Sequence, residues 1–312
     1  MLGLGLSLTT GGVATPYYAV VANAFRDRVE ADGGTVESMS CLKKDLKVLN
    51  PVKPPAYTGL LNDYSGAAAA YSLRLLDNTY TGDAIVVRRA SDNTTQAIGF
   101  VNNELDTTSL ESFCSGTDGF VTTWYDQSGN GYDVTQGSAS SQPKIVSSGS
   151  TITESGKPSI DFASNKSLFE SSVSLTQPFT RFSVRRYTDE TTSRDVFLGQ
   201  NIGSFSNLLD ITLGENKSHF GSYAQGDEET FTNNISYLLA NGVSSETKEN
   251  NSTLYTDDNG TNGLSGLRIG FSSLTGFFRS NVKGQEVIIW DNDQSTNRSG
   301  IETNINDFYS IY

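Results

Sequence analysis

The sequence predicts an all-β, antiparallel sandwich with a short helical segment before it and one helix after it. Three observations carry this. From residue 84 onward, short β-branched and aromatic runs recur every 8–15 residues with Asn, Asp, Gly and Ser between them. That spacing fits a sandwich or barrel, because a βαβ fold would put helical periods between its strands. "GFVTTWY" (119–125) alternates as a strand does, with Phe120, Thr122 and Trp124 on one predicted face and Val121, Thr123 and Tyr125 on the other. Over 295–312 the period changes, and Ile301, Ile305, Phe308 and Tyr309 share a helical face that Ser295 or Thr296 can cap.

The elements are read in chain order. Residues 1–15 open with "MLGLGLSLTTGG", an apolar run without a basic flank, and read as an extended glycine-rich arm, not a signal peptide. Residues 16–60 form a helical attachment segment and linker. Pro16 suits a first helical turn, and Tyr17, Val20, Val21, Ala24, Phe25 and Val29 follow at spacings of three and four. "ADGG" (31–34) stops that helix, a second runs through Val36, Met39, Leu42, Leu46 and Leu49, and "NPVKPP" breaks the pattern. Two readings stay open for this piece: it docks on the main domain, or it packs against other subunits. Residues 61–312 form the sandwich. Alanine content predicts a helix over 64–76. Strands are expected at 84–91, 96–101, 119–125, 157–162, 179–187, 195–200, 208–214, 218–223, 236–242, 252–257, 267–271 and 284–290, with a short helix at 105–114.

Charge and composition exclude several classes. With 22 basic and 35 acidic residues the net charge is −13, which opposes nucleic acid and anionic lipid. No run approaches the ~20 apolar residues of a membrane span. The single histidine, His219, rules out a multi-histidine metal site, and Cys41 and Cys114 make no disulfide framework.

The loop "WYDQSGNGYDVTQ" (124–136) is the densest polar motif. Gly129 and Gly131 supply positive φ, Asp126, Ser128 and Asn130 can brace an Asx turn, and Gln127 can serve buried backbone groups. A rigid corner explains all of this. The competing reading is a glycan-binding loop of Trp124, Tyr125, Asp126, Gln127 and Asn130, helped by Phe277 and Phe278. No cofactor is expected; calcium at Asp126 is the one open metal reading.

Residues 70–146, with "YDQSGNG" and its following Thr-Gln as the most specific part, resemble the N-terminal part of the α-L-arabinofuranosidase B catalytic domain. The end, "GQEVIIWDNDQSTNRSGIETNINDFYSIY" (284–312), is similar to the close of laminin-G-like and concanavalin A-like modules. The resemblance implies a concanavalin A-like jelly roll. It also implies an acid/base Asp just after the stretch at Ile269-Gly270-Phe271, where this chain has Ser272 and Ser273, and a nucleophile near Glu215. The family's disulfide would start at Cys114 and end at Gly119, so it cannot form. Both elements occur together, by this resemblance, in bacteriophage virion proteins. The expectation is therefore a non-catalytic virion structural protein, a spike, fibre or decoration subunit. It would be held to other virion proteins by residues 1–60, form a homo-oligomer such as a trimer, and touch host surface glycans. The alternatives are an arabinofuranosidase-like glycoside hydrolase using Glu215 and a stand-alone carbohydrate-binding module.

Overall fold

In the computed structural model the alanine-rich run is strand β1 (Ala67–Ser72), not a helix. The reason is its neighbour: β1 pairs antiparallel with the last strand, from Ala67 opposite Trp290 to Ser72 opposite Glu286. Ala67, Ala69 and Ala70 are buried, and tertiary packing overrides intrinsic propensity. The structure describes residues 57–312 except 164–165, 189–193, 200–207, 213–215, 220–231, 251, 259, 271–277 and 280. Over 194–196, 208–212, 216–219 and 278–279 it describes the backbone. The arm and the helices expected over 16–49 lie outside the described residues.

A one-turn helix, α1 (Leu60–Asp63), precedes β1. Strands β2 (Ile85–Arg89) and β3 (Thr95–Ile98) form a hairpin. Helix α2 (Thr107–Phe113) follows as expected, with Asp106 accepting from the Ser109 amide as its N-cap. Strand β4 (Gly119–Trp124) pairs with β2, but Val86 faces Thr123 while Val87 faces Val121. That bulge at Thr122 moves Trp124 onto the buried face of Val121 and corrects the expected alternation.

β4 is a branch point. One branch runs through β5 (Val134–Thr135) and β8 (Ser167–Leu175). The other starts with β6 (Lys144–Ser147) and β7 (Ile160–Asp161). β9 (Phe179–Tyr187) spans the residues expected from sequence. β10 (Arg194–Gly199), β11 (Leu208–Thr212) and β12 (Asn216–His219) follow. Then come β13 (Asn234–Ala240), β14 (Ser245–Glu249), β15 (Tyr255–Asp257), β16 (Leu264–Gly270) and β17 (Val282–Trp290). The first branch continues β8–β16–β10–β11–β12. The second continues β7–β17–β9–β13–β14–β15. The result is an antiparallel β-sandwich.

Its main core, between the branches, includes Tyr71, Trp124, Phe162, Phe197, Leu198, Ile269 and Ile289. A second core lies outside β9 and β17, where Phe182, Ile288 and Trp290 meet Ile301, Ile305 and Tyr309 of helix α3 (Arg298–Tyr309). The residue before that helix is Asn297, without a side-chain cap bond, where Ser295 or Thr296 was expected to cap. No helix among the described residues is long and apolar enough to cross a membrane.

Candidate functional site

The WYDQSGNG segment is a corner that stitches β1 to the end of β4. Asp126 is almost fully buried, and both carboxylate oxygens are used. Oδ1 accepts from the amides of Ala70 (2.8 Å) and Ser128 (2.9 Å), and Oδ2 from Ser128 Oγ (2.7 Å) and the Tyr132 amide (3.1 Å). Gln127 accepts from the Leu76 amide at 2.8 Å and donates to the carbonyls of Ser72 and Arg74. Asn130 donates to the carbonyls of Ala67 and Ala68. Gly129 and Gly131 take φ of 87° and 76°.

These facts correct the glycan-loop reading. Trp124, Asp126 and Gln127 are buried and offer a sugar no surface, so only Tyr125, half-buried at the strand end, and the exposed Asn130 remain. The calcium reading at Asp126 also fails on chemistry, since its oxygens already face N–H and O–H donors. Among the described residues no group of three His, Cys, Asp or Glu is placed to hold a metal. Glu215, Phe277, Ser272 and Ser273 lie outside the described residues. Phe278 is described by its backbone, in a two-residue strand parallel to β10.

The arginine pairs behave as paired groups. Arg88 lies over the Phe120 ring and Arg89 bridges Asp92. Arg186 bridges Glu154, while Arg185, with no exposed surface, holds Glu249 at 2.6 and 3.2 Å. On the same stretch Arg181 donates to Ser183 Oγ and the Ser236 carbonyl, both at 2.9 Å. Ser183 faces Ser236, and Ser236 faces Glu249, across β9, β13 and β14. A sandwich interior is expected to be apolar, and burying charge there is costly unless paired. This polar wall turns toward β10: Arg185 is opposite Gly284, and a Cβ on Gly284 would lie 2.5 Å from the Phe197 ring of β10.

β10 also pairs with a strand holding an acidic residue that the sequence reading missed. Asp210 in β11 is opposite Leu198 in β10, and Leu198 is opposite Ile269 in β16. Asp210 therefore stands in line with the Ile269-Gly270 stretch, two strands away. The overlooked signal was an Asp inside the apolar strand "LLDIT", a residue type that strands disfavour. Gly270 has φ +70°, and a Cβ there would sit 2.3 Å from the Lys166 carbonyl and 2.4 Å from the Phe162 ring, so only glycine fits.

Cys114 is buried and free. A Cβ on Gly119 would lie 2.7 Å from its Sγ, with Val146 and Val87 each 3.1 Å away. The two ends implied for the lost disulfide are thus adjacent. Gly119→Cys is expected to oxidise onto Cys114, leaving Cys41 as the one free thiol in a thiol titration. The oxidised variant should be about 2 kcal/mol more stable than its reduced form for so short a loop.

Comparison with known proteins gives the context. A family model described as "Alpha-L-arabinofuranosidase B, catalytic" matches residues 63–168. An alpha-L-arabinofuranosidase B from Emericella nidulans is 41% identical over 71 residues, covering 22% of this chain. An alpha-L-arabinofuranosidase from Hypocrea jecorina is 39% identical over 70 residues, also 22% of this chain. Each match spans 14% of the relative's own length. A crystal structure of an arabinofuranosidase with arabinofuranosyl-alpha-1,2-xylobiose superposes with a TM-score of 0.55 at 14% identity, over 77% of this chain and 62% of that one. A GH54 α-L-arabinofuranosidase soaked with a cyclic sulfate inhibitor gives the same values. At that identity the likeness is one of fold.

These matches overturn the expectation of a non-catalytic virion subunit. The relatives are arabinofuranosidases of Emericella nidulans and Hypocrea jecorina, so the spike, fibre or decoration role, the location on a virion and the reading as a non-enzyme all give way to the hydrolase alternative.

Proposed function

We propose that this chain is a glycoside hydrolase of the α-L-arabinofuranosidase type, releasing arabinofuranosyl groups from a polysaccharide, on a sandwich of the concanavalin A-like class. The likeness at 63–168 and the shared fold support it. The observation that carries it is the line Asp210–Leu198–Ile269, which aligns Asp210 of β11 with the Ile-Gly stretch of β16 across the intervening β10.

In this reading Asp210 is the nucleophile and Glu215, three positions past the end of β11, takes the acid/base role instead of the nucleophile role that the resemblance implied for it. Retaining hydrolysis needs two such carboxyl groups ~5–5.5 Å apart. Asp210 attacks the anomeric carbon, the bond to the leaving oxygen breaks, and Glu215 gives that oxygen its proton. Glu215 then takes a proton from water, the water oxygen attacks the anomeric carbon, and Asp210 is released.

The test uses 4-nitrophenyl α-L-arabinofuranoside and arabinoxylan. Asp210→Asn is expected to lower kcat at least about a thousandfold on both. Glu215→Gln should cost ~10²–10⁴ on arabinoxylan and far less on the nitrophenyl substrate, whose leaving group needs no proton. Wild-type protein inactive on both substrates, or an Asp210→Asn variant at full rate, overturns the reading.

A further inference from the structure

Tyr125, half-buried at the end of β4, is an aromatic group at the surface beside the corner, and it is not alone. Its amide donates to the Ala84 carbonyl at 3.0 Å, which sets it against the turn before β2. On that turn the Tyr80 hydroxyl donates to the Asp83 carbonyl at 2.9 Å. The Tyr80 ring meets Phe100 edge-on at 6.4 Å. Asp83 is exposed, and its carboxylate lies over Gly99: a Cβ there would be 3.1 Å from Asp83 Oδ1. On the other side, Asp133 Oδ1 accepts the Asp126 amide at 2.9 Å. Tyr80, Phe100, Tyr125 and Asp133 are all half-buried.

The Tyr80 and Tyr125 phenols feel the same two carboxylates, Asp133 and Asp83. Burial, then Asp133, Asp126 and Asp83, push the Tyr80 phenol up to about 12, with Tyr125 adding to it. Burial, then Asp133 and Asp83, raise Tyr125. Among the described residues no side chain or amide bonds the Asp83 carboxylate, and Asp133 uses one oxygen. Three ring surfaces are thus edged by carboxylate oxygens left for an outside donor. Sugar rings stack their C–H faces on aromatic rings and donate hydroxyl protons to carboxylates. Two carboxylates on a chain of net charge −13 disfavour an acidic polymer.

We propose that Tyr80, Phe100 and Tyr125, with Asp83 and Asp133, form an accessory surface that binds a neutral polysaccharide chain. It lies beside β2 and β4, and β10 is four pairings from β4 through β5, β8 and β16. The surface is therefore separate from the proposed hydrolytic strands and does not depend on them.

The test is native affinity electrophoresis of the full chain in gels with and without arabinoxylan. Wild type is expected to be retarded by arabinoxylan, and Tyr125→Ala to need at least about fivefold more polymer for equal retardation, which corresponds to one lost stacking contact. Asp83→Asn/Asp133→Asn tests the carboxylates without removing a ring and should weaken retardation as well. Unchanged thermal melting shows that each variant is folded. Asp210→Asn should be retarded like wild type, so loss of hydrolysis with binding kept separates the two proposals. No retardation of wild type, or equal retardation of wild type and the folded variants, overturns the surface.

Discussion

Glu286→Ala is expected to destabilise the sandwich by about 3–5 kcal/mol, the cost of leaving a buried charge without its partner. Arg74 and Glu286 have only 4% and 1% of their side-chain surface exposed. Arg74 Nε donates to Glu286 Oε2 at 2.8 Å and Nη2 to Oε1 at 3.0 Å. Its third donor, Nη1, reaches Asn304 on α3 at 2.9 Å. Ser72 Oγ donates to the same carboxylate at 2.7 Å, and the Tyr309 hydroxyl at 3.3 Å. The pair joins the segment after β1, the centre of β17 and the closing helix. Coulomb attraction to Glu286 keeps the Arg74 guanidinium charged against the opposing pull of its burial. Truncating the carboxylate therefore leaves a cation in the interior and takes an acceptor from the Ser72 and Tyr309 hydroxyls as well. Unfolding by urea followed through tryptophan fluorescence reads this directly, because both tryptophans of the chain, Trp124 and Trp290, are buried in the sandwich. The double variant Arg74→Met/Glu286→Leu should recover most of the loss, since an apolar pair of similar volume carries no desolvation cost. A double variant as unstable as the single one would show that the bonds to Ser72, Asn304 and Tyr309, not the stranded charge, hold the helix.

What the sequence made legible follows from the range of the interactions involved. β9 was readable to the residue because "FTRFSVRRY" is bounded by turn residues and β-branched or aromatic within. The short helix expected over 105–114 was equally local. β1 was misread because the fact that decides it is a partner strand more than 200 residues away, while alanine's preference is a weak local force. Trp124 was placed on the wrong face because a single-residue bulge is invisible to a count of two. β8, "SLFESSVSL", went unread since its serines dilute the alternation. The corner at Asp126 was legible as a turn, but which of its polar groups were buried was not. The site fared worst. Arg185 and Glu249 look like ordinary surface charges in one dimension, and Asp210 acquires meaning only once β10 places it opposite Leu198.

Asp126→Ala should be the other severe loss, about 4 kcal/mol. The carboxylate accepts four hydrogen bonds, three of them from the backbone amides of Ala70, Ser128 and Tyr132. Each buried donor left without an acceptor costs about 1–3 kcal/mol, and water entering beside Ser128, which is only half-buried, should recover part of the sum. Asp126→Asn separates geometry from charge. Its carbonyl oxygen can keep the Ala70 and Ser128 amides, but its NH₂ would point two donors at the Tyr132 amide and Ser128 Oγ, so about half the loss should remain. The effect should also be local in a way that the Glu286 effect is not. Freed from Asp126, the Ala70 amide in β1 and the 128–132 turn would exchange hydrogen faster than the amides of β9, and mass-resolved exchange can separate the two. If β9 loosened equally, the corner would be part of the cooperative core, and the polar density of "YDQSGNG" would then reflect folding of the whole sandwich instead of the fastening of one edge strand.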